Sequence, residues 1–277
     1  MYEEYLEFAK GIAYKTKQIM LKYFNSDNES IYKSDNTIVT IADKEINDLL
    51  IKEVKNKYPN HSVDGEEESM GSSNYVWVCD PIDGTAMFAR GIPTCVFSLA
   101  LCIDGDPVVG VVYDPFNDNM YYATKSSGAF KNDEKIHVSN INLSDKRSVA
   151  HYDMHPNFDY NIFDVIKELG KKTYFVSIGS IIRASMCIAE GNFTLAIFPG
   201  TTHKNCDIAA VKIIVEEAGG IVTDLFGDDQ KYDCDINGAL ISNGIMHDEV
   251  VKLLKKYLAD KNRGIVWIIN ILMFVWI

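Results

Sequence analysis

A layered α+β fold is what this sequence predicts, and three observations carry that prediction. Apolar residues make up 47% of the 277, enough to bury a substantial core in one large domain or two coupled ones. Short apolar runs bounded by turn residues dominate the first half after its opening helices, whereas the second half reads helix, strand, helix, strand, helix. No internal repeat and no low-complexity linker interrupts the chain, so the boundary between an N-terminal half (1–142) and a C-terminal half (143–263) is placed in ordinary loops, with an apolar tail at 264–277.

Taken in order, Tyr5, Phe8, Ile12, Ile19 and Tyr23 fall roughly on one helical stripe and predict a packing helix over Tyr2 to Phe24. Asp35 to Ala42 is extended and Thr-rich. Asp43 is expected at the head of a second amphipathic helix that ends near Tyr58-Pro59, where a carboxylate can cap or coordinate. His61 to Asp64 leads to Glu66 and Glu67, and Tyr75 to Cys79 is a compact apolar strand that delivers Asp80. Two apolar runs, Thr94 to Ile103 and Pro107 to Tyr113, flank Asp104-Gly105-Asp106, a hairpin signature, and a strand at Met120 to Thr124 follows. Helices are expected at Ser180 to Ala189, Asp207 to Ala218 and His247 to Leu258.

Charge narrows the classes of partner. Lys and Arg number 27 against 39 Asp and Glu, a formal charge of -12, which repels a polyphosphate backbone and argues against nucleic acid. An acidic protein that handles an anion needs local positive charge, and divalent cations held by clustered carboxylates supply it. The six cysteines form no C-x-x-C pair and most sit in apolar runs, so they read as reduced core residues. Glu3, Glu4 and Glu7 near the start do not fit a signal peptide, and a cytoplasmic location is expected. The tail from Gly264 to Ile277 is almost wholly apolar, yet at 14 residues it is shorter than the ~20 that span a bilayer, so no membrane span is expected. A docking element, an interfacial anchor and a reading-frame artefact are all open for it.

The segment Asp80-Pro81-Ile82-Asp83-Gly84-Thr85 concentrates the chemistry. A buried strand brings Asp80 to its end, Pro81 stops ladder pairing, and Gly84 permits a tight turn before Thr85 starts a helical turn. Two carboxylates then converge with N–H groups at Gly84 and Thr85 that suit a phosphate. Mg2+ prefers oxygen ligands and bridges carboxylates to phosphate, so Asp80 between two ions and Asp83 on one is chemically reasonable. The same D-x-x-D-G pattern is also ordinary turn chemistry. Glu66 and Glu67 lie 14 and 13 residues before Asp80, within reach of the strand end, although an acidic run is also a solvated loop. Asp207 opens an apolar helix that closes at Gly219-Gly220, so it reads as an N-cap or as a third carboxylate of a two-metal cage.

Together these blocks resemble the inositol monophosphatase superfamily in identity, order and spacing: Val39-Thr-Ile-Ala-Asp43, Gly65-Glu-Glu67, Asp80-Pro-Ile-Asp-Gly-Thr85, and Asp207-Ile-Ala-Ala210 with Glu217-Ala-Gly-Gly220. Lys57-Tyr-Pro-Asn-His-Ser62, Gly110-Val-Val-Tyr113 and Gly128-Ala-Phe130 agree, and the likeness covers about residues 1 to 260. The resemblance implies an αβαβα sandwich, an active site where the halves meet, a homodimer, and a lithium-sensitive phosphatase that uses two or three Mg2+ ions. It assigns Glu66, Asp80 and the Ile82 carbonyl to the first ion and Asp80, Asp83 and Asp207 to the second, with Asp43, Glu66 and Glu67 supporting a third ion or a water network. Thr85 and Glu66 are assigned to a metal-activated water, and the Gly84 and Thr85 amides to the phosphoryl oxygens. The implied substrate is a small phosphorylated alcohol or sugar of the inositol 1-monophosphate type; histidinol phosphate, fructose 1,6-bisphosphate, a nucleotide 3'-phosphate and a catalytically inactive metal-binding scaffold are alternatives.

Some positions depart from the family or tempt a metal assignment. Cys206 stands where the family usually has Trp, which predicts looser packing at the cage. Counted back from Asp207, the acid that inositol enzymes use for a sugar hydroxyl falls on Gly200. Arg183 stands where many relatives carry a small residue; its guanidinium is a candidate for a second anionic group of the substrate, or a surface side chain. His151 and His155 have helical ligand spacing, but Pro156 and polar neighbours predict a loop. Lys33 is either solvated or part of an active-site loop. A haloacid-dehalogenase-type aspartyl phosphate is not expected, because D-x-D-G-T needs acids two apart and Asp80 and Asp83 are three apart.

Overall fold

The computed structural model describes residues 2–24, 31–32, 38–153, 158, 160–200 and 204–258. Lys33, His155 and the apolar tail lie outside the described residues. Helix α1 (Glu3–Tyr23) is followed by a short antiparallel pair, β1 (Ile31–Tyr32) with β2 (Ile38–Val39), and by helix α2 (Ile41–Lys57). A seven-stranded sheet comes next: β3 (Ser62–Gly65), β4 (Tyr75–Asp83), β5 (Val96–Ile103), β6 (Asp106–Asp114), β7 (Asn119–Thr124), β8 (Ala129–Lys131) and β9 (Glu134–Ile136), ordered as in the chain, with helix α3 (Thr85–Phe88) between β4 and β5. Only β3–β4 is parallel in it.

The second half supplies β10 (Val149–Tyr152), α4 (Phe163–Leu169), β11 (Tyr174–Val176), α5 (Ile181–Ala189), β12 (Leu195–Phe198), α6 (Ala209–Glu217), β13 (Ile221–Thr223), β14 (Ala239–Ser242) and a helix, α7, over 247–258. Its five strands are ordered β11-β10-β12-β14-β13. Sequence reading put a loop at His151; the structure puts it on β10, fully buried, with neither ring nitrogen hydrogen-bonded and burial pushing its pKa down to about 4.

Side-chain alternation along the strands stacks these elements into five layers. On β4, Trp77 and Cys79 face α1 and α2, while Val76 and Val78 face α5 and α6. On β12, Ala196 and Phe198 join that same central layer, and Leu195 and Ile197 face α4 and α7. The order is helices, sheet, helices, sheet, helices, the αβαβα sandwich. Helix α6 can lie close on β6 because Gly110 has no side chain: a Cβ there would stand 2.5 Å from Ile213 Cγ2. Glu217 at the end of α6 accepts from Ser126 N (2.6 Å) and Gly128 N (2.7 Å), which fastens the helix to the β7–β8 turn. The expected hairpin is present, with Asp104 (φ 52) and Gly105 (φ 81) both left-handed, as a primed two-residue turn requires.

Candidate metal centre and active site

Strand parity alone would separate Asp80 from Asp83, because residues three apart on a pleated strand point to opposite faces. The structure solves this with a bulge. Asp80 pairs with Ser98 and Asp83 with Val96, three steps on β4 against two on β5, so the extra residue turns both carboxylates to the α5 and α6 side. Pro81 therefore does not end the strand as the sequence suggests; it sits in the bulge, where its missing N–H costs no ladder bond.

Each carboxylate is then fixed by backbone. Ile82 N donates to Asp80 Oδ1 (2.9 Å), while Asp83 Oδ2 accepts from the Ser180 hydroxyl (2.5 Å) and from Ile182 N (2.8 Å) at the start of α5. Asp207 arrives from the other side. Of the two roles the sequence offered it, the cap is not realised, because it lies in a 3-10 turn, Asn205–Asp207, and α6 starts at Ala209 without a side-chain cap. Asp80, Asp83 and Asp207 are all buried, and one oxygen from each lies within 4.8 Å of the others. Such an all-oxygen set suits a hard divalent cation.

Burial and mutual repulsion set the electrostatics. Asp83 is pushed up to about 8 by burial first and then by Asp207, against the hydrogen bond from Ser180; Asp80 is raised well above the usual carboxylate range by burial, Glu66 and Asp207. Protonation or a cation must neutralise such a group at this depth. A cation binding here stabilises the ionised form that burial disfavours.

Around the three aspartates stand the remaining residues that the sequence picked out. Glu66 follows β3, its N–H donates to Cys79 O (3.1 Å), and its Oε1 is 2.6 Å from Lys204 Nζ. Glu66 and Glu67 line a cleft of about 520 Å3 that Asp64, Asp233 and Asp235 share. Asp43 lies in the first turn of α2, at the helix head as the sequence suggests, and caps it by reaching back so that Oδ2 accepts from Thr40 N (2.7 Å) and the Thr40 hydroxyl (2.6 Å). Burial, with Glu66 and Glu67 nearby, raises its pKa to about 7. The Thr85 hydroxyl donates to Ile82 O (2.8 Å) and lies 3.4 Å from Asp43 Oδ1. Gly84 precedes α3 at φ 85, and a Cβ on it would stand 2.9 Å from Gly179 O, so the strand end touches the segment leading into α5.

Arg183 is engaged elsewhere than the cage. The Arg183 guanidinium is turned toward Asp114 (3.7 Å), Glu190 (3.7 Å) and Cys187 (3.1 Å), beside the Tyr121 ring. Gly200 follows β12 at φ 80 and presents no side chain. Cys206 is buried beside Asp207, with Sγ 3.6 Å from Asp207 Oδ1. Sequence reasoning missed Ser180, Lys204 and Thr40. Ser180 could have been found as a helix-start serine; Lys204 carries no local signal.

Comparison with known proteins agrees with this architecture. The sequence model of the inositol monophosphatase family matches residues 1–259. A fructose-1,6-bisphosphatase/inositol-1-monophosphatase of Thermotoga maritima is 32% identical over 243 residues, covering 87% of this chain and 92% of the relative; an inositol monophosphatase of Dictyostelium discoideum is 30% identical, covering 94% and 96%. Among solved structures, the IMPase of Thermotoga maritima superposes with a TM-score of 0.83 at 29% identity, covering 93% of this chain and 99% of that one, and inositol monophosphatase from Anabaena with 0.78 at 26%, covering 92% and 96%. The chain belongs to the inositol monophosphatase family of phosphoric monoester hydrolases.

Proposed function

We propose that this protein is a Mg2+-dependent phosphomonoesterase acting on a small alcohol or sugar phosphate of the inositol 1-monophosphate type. The observation that carries the reading is the trio of buried aspartates from two distant segments, with ligand atoms within 4.8 Å of one another. Asp80, Asp83 and Asp207 would hold one ion, and Asp80, Glu66 and the Ile82 carbonyl another, with Asp43 and Glu67 beside a third ion or the water network. Bound Mg2+ supplies Lewis acidity: it acidifies water and offsets the negative charge of phosphoryl and leaving oxygens.

The chain's own groups do the rest. Thr85 Oγ1 would take a proton from attacking water and pass its own hydroxyl proton to Asp43 Oδ1, 3.4 Å away, giving up its bond to Ile82 O in doing so. Glu66 orients the same water. The Gly84 and Thr85 amides bind the phosphoryl oxygens, and the buried walls of β4 and α5 limit bulk water. Gly200 leaves space where an inositol enzyme would present an acid, and Arg183 would act on substrate charge only indirectly, through Asp114 and Glu190.

We further take the active protein to be a cytoplasmic homodimer inhibited by Li+; among the described residues no helix is long and apolar enough to cross a membrane. Phosphate release from inositol 1-phosphate, histidinol phosphate, fructose 1,6-bisphosphate and a nucleoside 3'-phosphate, each at fixed Mg2+, tests the reading. Turnover of at least one substrate is expected, abolished by excess chelator. Undiminished activity in chelator would refute the metal-dependent scheme, and ion binding without turnover of any substrate would favour the scaffold.

A further inference from the structure

Lys204 stands immediately before the turn that carries Asp207, and its carbonyl accepts from Asp207 N (3.3 Å). Its side chain is only 16% exposed, and Nζ reaches across to Glu66 Oε1 at 2.6 Å. Asp207 and Asp80 lie within electrostatic range of the same ammonium. A lysine ammonium is a compact point charge with three donors, a monovalent counterpart of a small metal ion. It is bonded to the carboxylate that the proposed first ion needs. A divalent ion held by the same carboxylate would face that ammonium across a short, largely buried gap, and the two cations would repel.

We propose that Lys204 is a tethered counter-cation: in the ion-free protein its ammonium takes the place of a divalent ion at Glu66, and ion loading requires it to swing away. The inference rests on the reading of Glu66 as an ion ligand. The adjoining cleft gives the released ammonium a destination, because Glu67, Asp233 and Asp235 line it. Lys204 thus stabilises the ion-free fold and competes with the ion that activates it, so it sets the concentration of Mg2+ at which the site loads.

The test is a calorimetric titration of Mg2+ into chelator-stripped wild type and Lys204→Met, with thermal unfolding of both in the absence of ions. Lys204→Met is expected to bind Mg2+ about 5- to 150-fold more tightly, the usual span of a site-to-site coupling, and to unfold at a lower temperature until Mg2+ is added. Lys204→Arg, which keeps the charge, is expected to stay near wild-type affinity. Equal or weaker binding by Lys204→Met would overturn the inference. Should that variant not fold without ions, side-chain NMR of the wild type decides: the protected Lys204 ammonium signal should vanish as Mg2+ saturates, and its persistence would overturn the exchange. Absence of Mg2+ binding in wild type and variant alike would overturn the ion-site reading itself.

Discussion

Two buried acidic regions, joined by helix α5, are built in opposite ways. At the start of α5, Asp83 accepts from Ser180 and Ile182 N, and its carboxylate stands among other carboxylates, Asp80 and Asp207. One turn further on, Arg183 faces Asp114 and Glu190, and Lys131 adds an ion pair to Glu190 at 2.7 Å. Asp114 also accepts from Phe116 N (3.0 Å) and Asn117 N (3.1 Å). The second region is balanced by the chain's own cations and amides. The first gathers negative charge that the neighbouring Lys204 offsets only in part, and such an arrangement lowers its free energy by binding a cation. The difference teaches that a buried acid marks function when its nearest charged neighbours are also acids.

Substitutions on either side should break differently. Asp83→Asn keeps an acceptor for Ser180 but removes one charge of the cluster; kcat should fall about a thousandfold or more, roughly 4 kcal/mol of barrier, while the ion-free protein melts no lower than wild type. Near-normal kinetics would remove Asp83 from the chemistry. Arg183→Met should do the reverse, costing about 2–3 kcal/mol of stability by leaving Asp114 and Glu190 less compensated, a little below a fully buried pair because Lys131 remains. Denaturant unfolding reads this. A selective rise in KM for doubly charged substrates, with stability intact, would instead place Arg183 on the substrate.

The pH response sharpens the same contrast. Asp43 and Asp83 titrate near 7 and 8 in the folded, ion-free protein, raised by burial first and then by neighbouring acids, whereas unfolded carboxyls titrate near 4. Between those values these two groups bind more protons in the folded chain than in the unfolded one and make stability fall as pH rises from about 4 to about 8, outweighing the opposite contribution of His151, whose burial lowers its pKa to about 4. Melting of chelator-stripped protein should occur at a lower temperature at pH 8 than at pH 5, and Mg2+ should narrow the gap. A rise in stability over that window would mean that the cluster is not strained. The smallest effect is expected at Glu217, which accepts from backbone: Glu217→Ala should cost about 1–2 kcal/mol, through the lost Ser126 and Gly128 hydrogen bonds, the first of them exposed, without changing kcat.

Much of this could be read from the chain because the signals were local. The stripe from Tyr5 to Tyr23 became α1, Asp104-Gly105 formed its hairpin, and the apolar period at 247–258 became α7. What escaped depends on tertiary reach. His151 hid a buried strand because β10 is only four residues long and its neighbours are polar. Asp207 did not escape, but only through its company: alone it reads as a cap, and it was the Asp80 and Asp83 block that marked it as a third carboxylate, where its side chain lies. Nothing around Lys204 reveals that its ammonium meets a glutamate 138 positions away, and the parity problem between Asp80 and Asp83 is resolved by a bulge that only strand pairing shows.

A crystal grown with Mn2+ and measured for anomalous scattering gives the most direct view of whether these three acids trap a dication. The account predicts a strong peak bounded by oxygens of Asp80, Asp83 and Asp207; a fully occupied, well-ordered site elsewhere with nothing between these three side chains would contradict it.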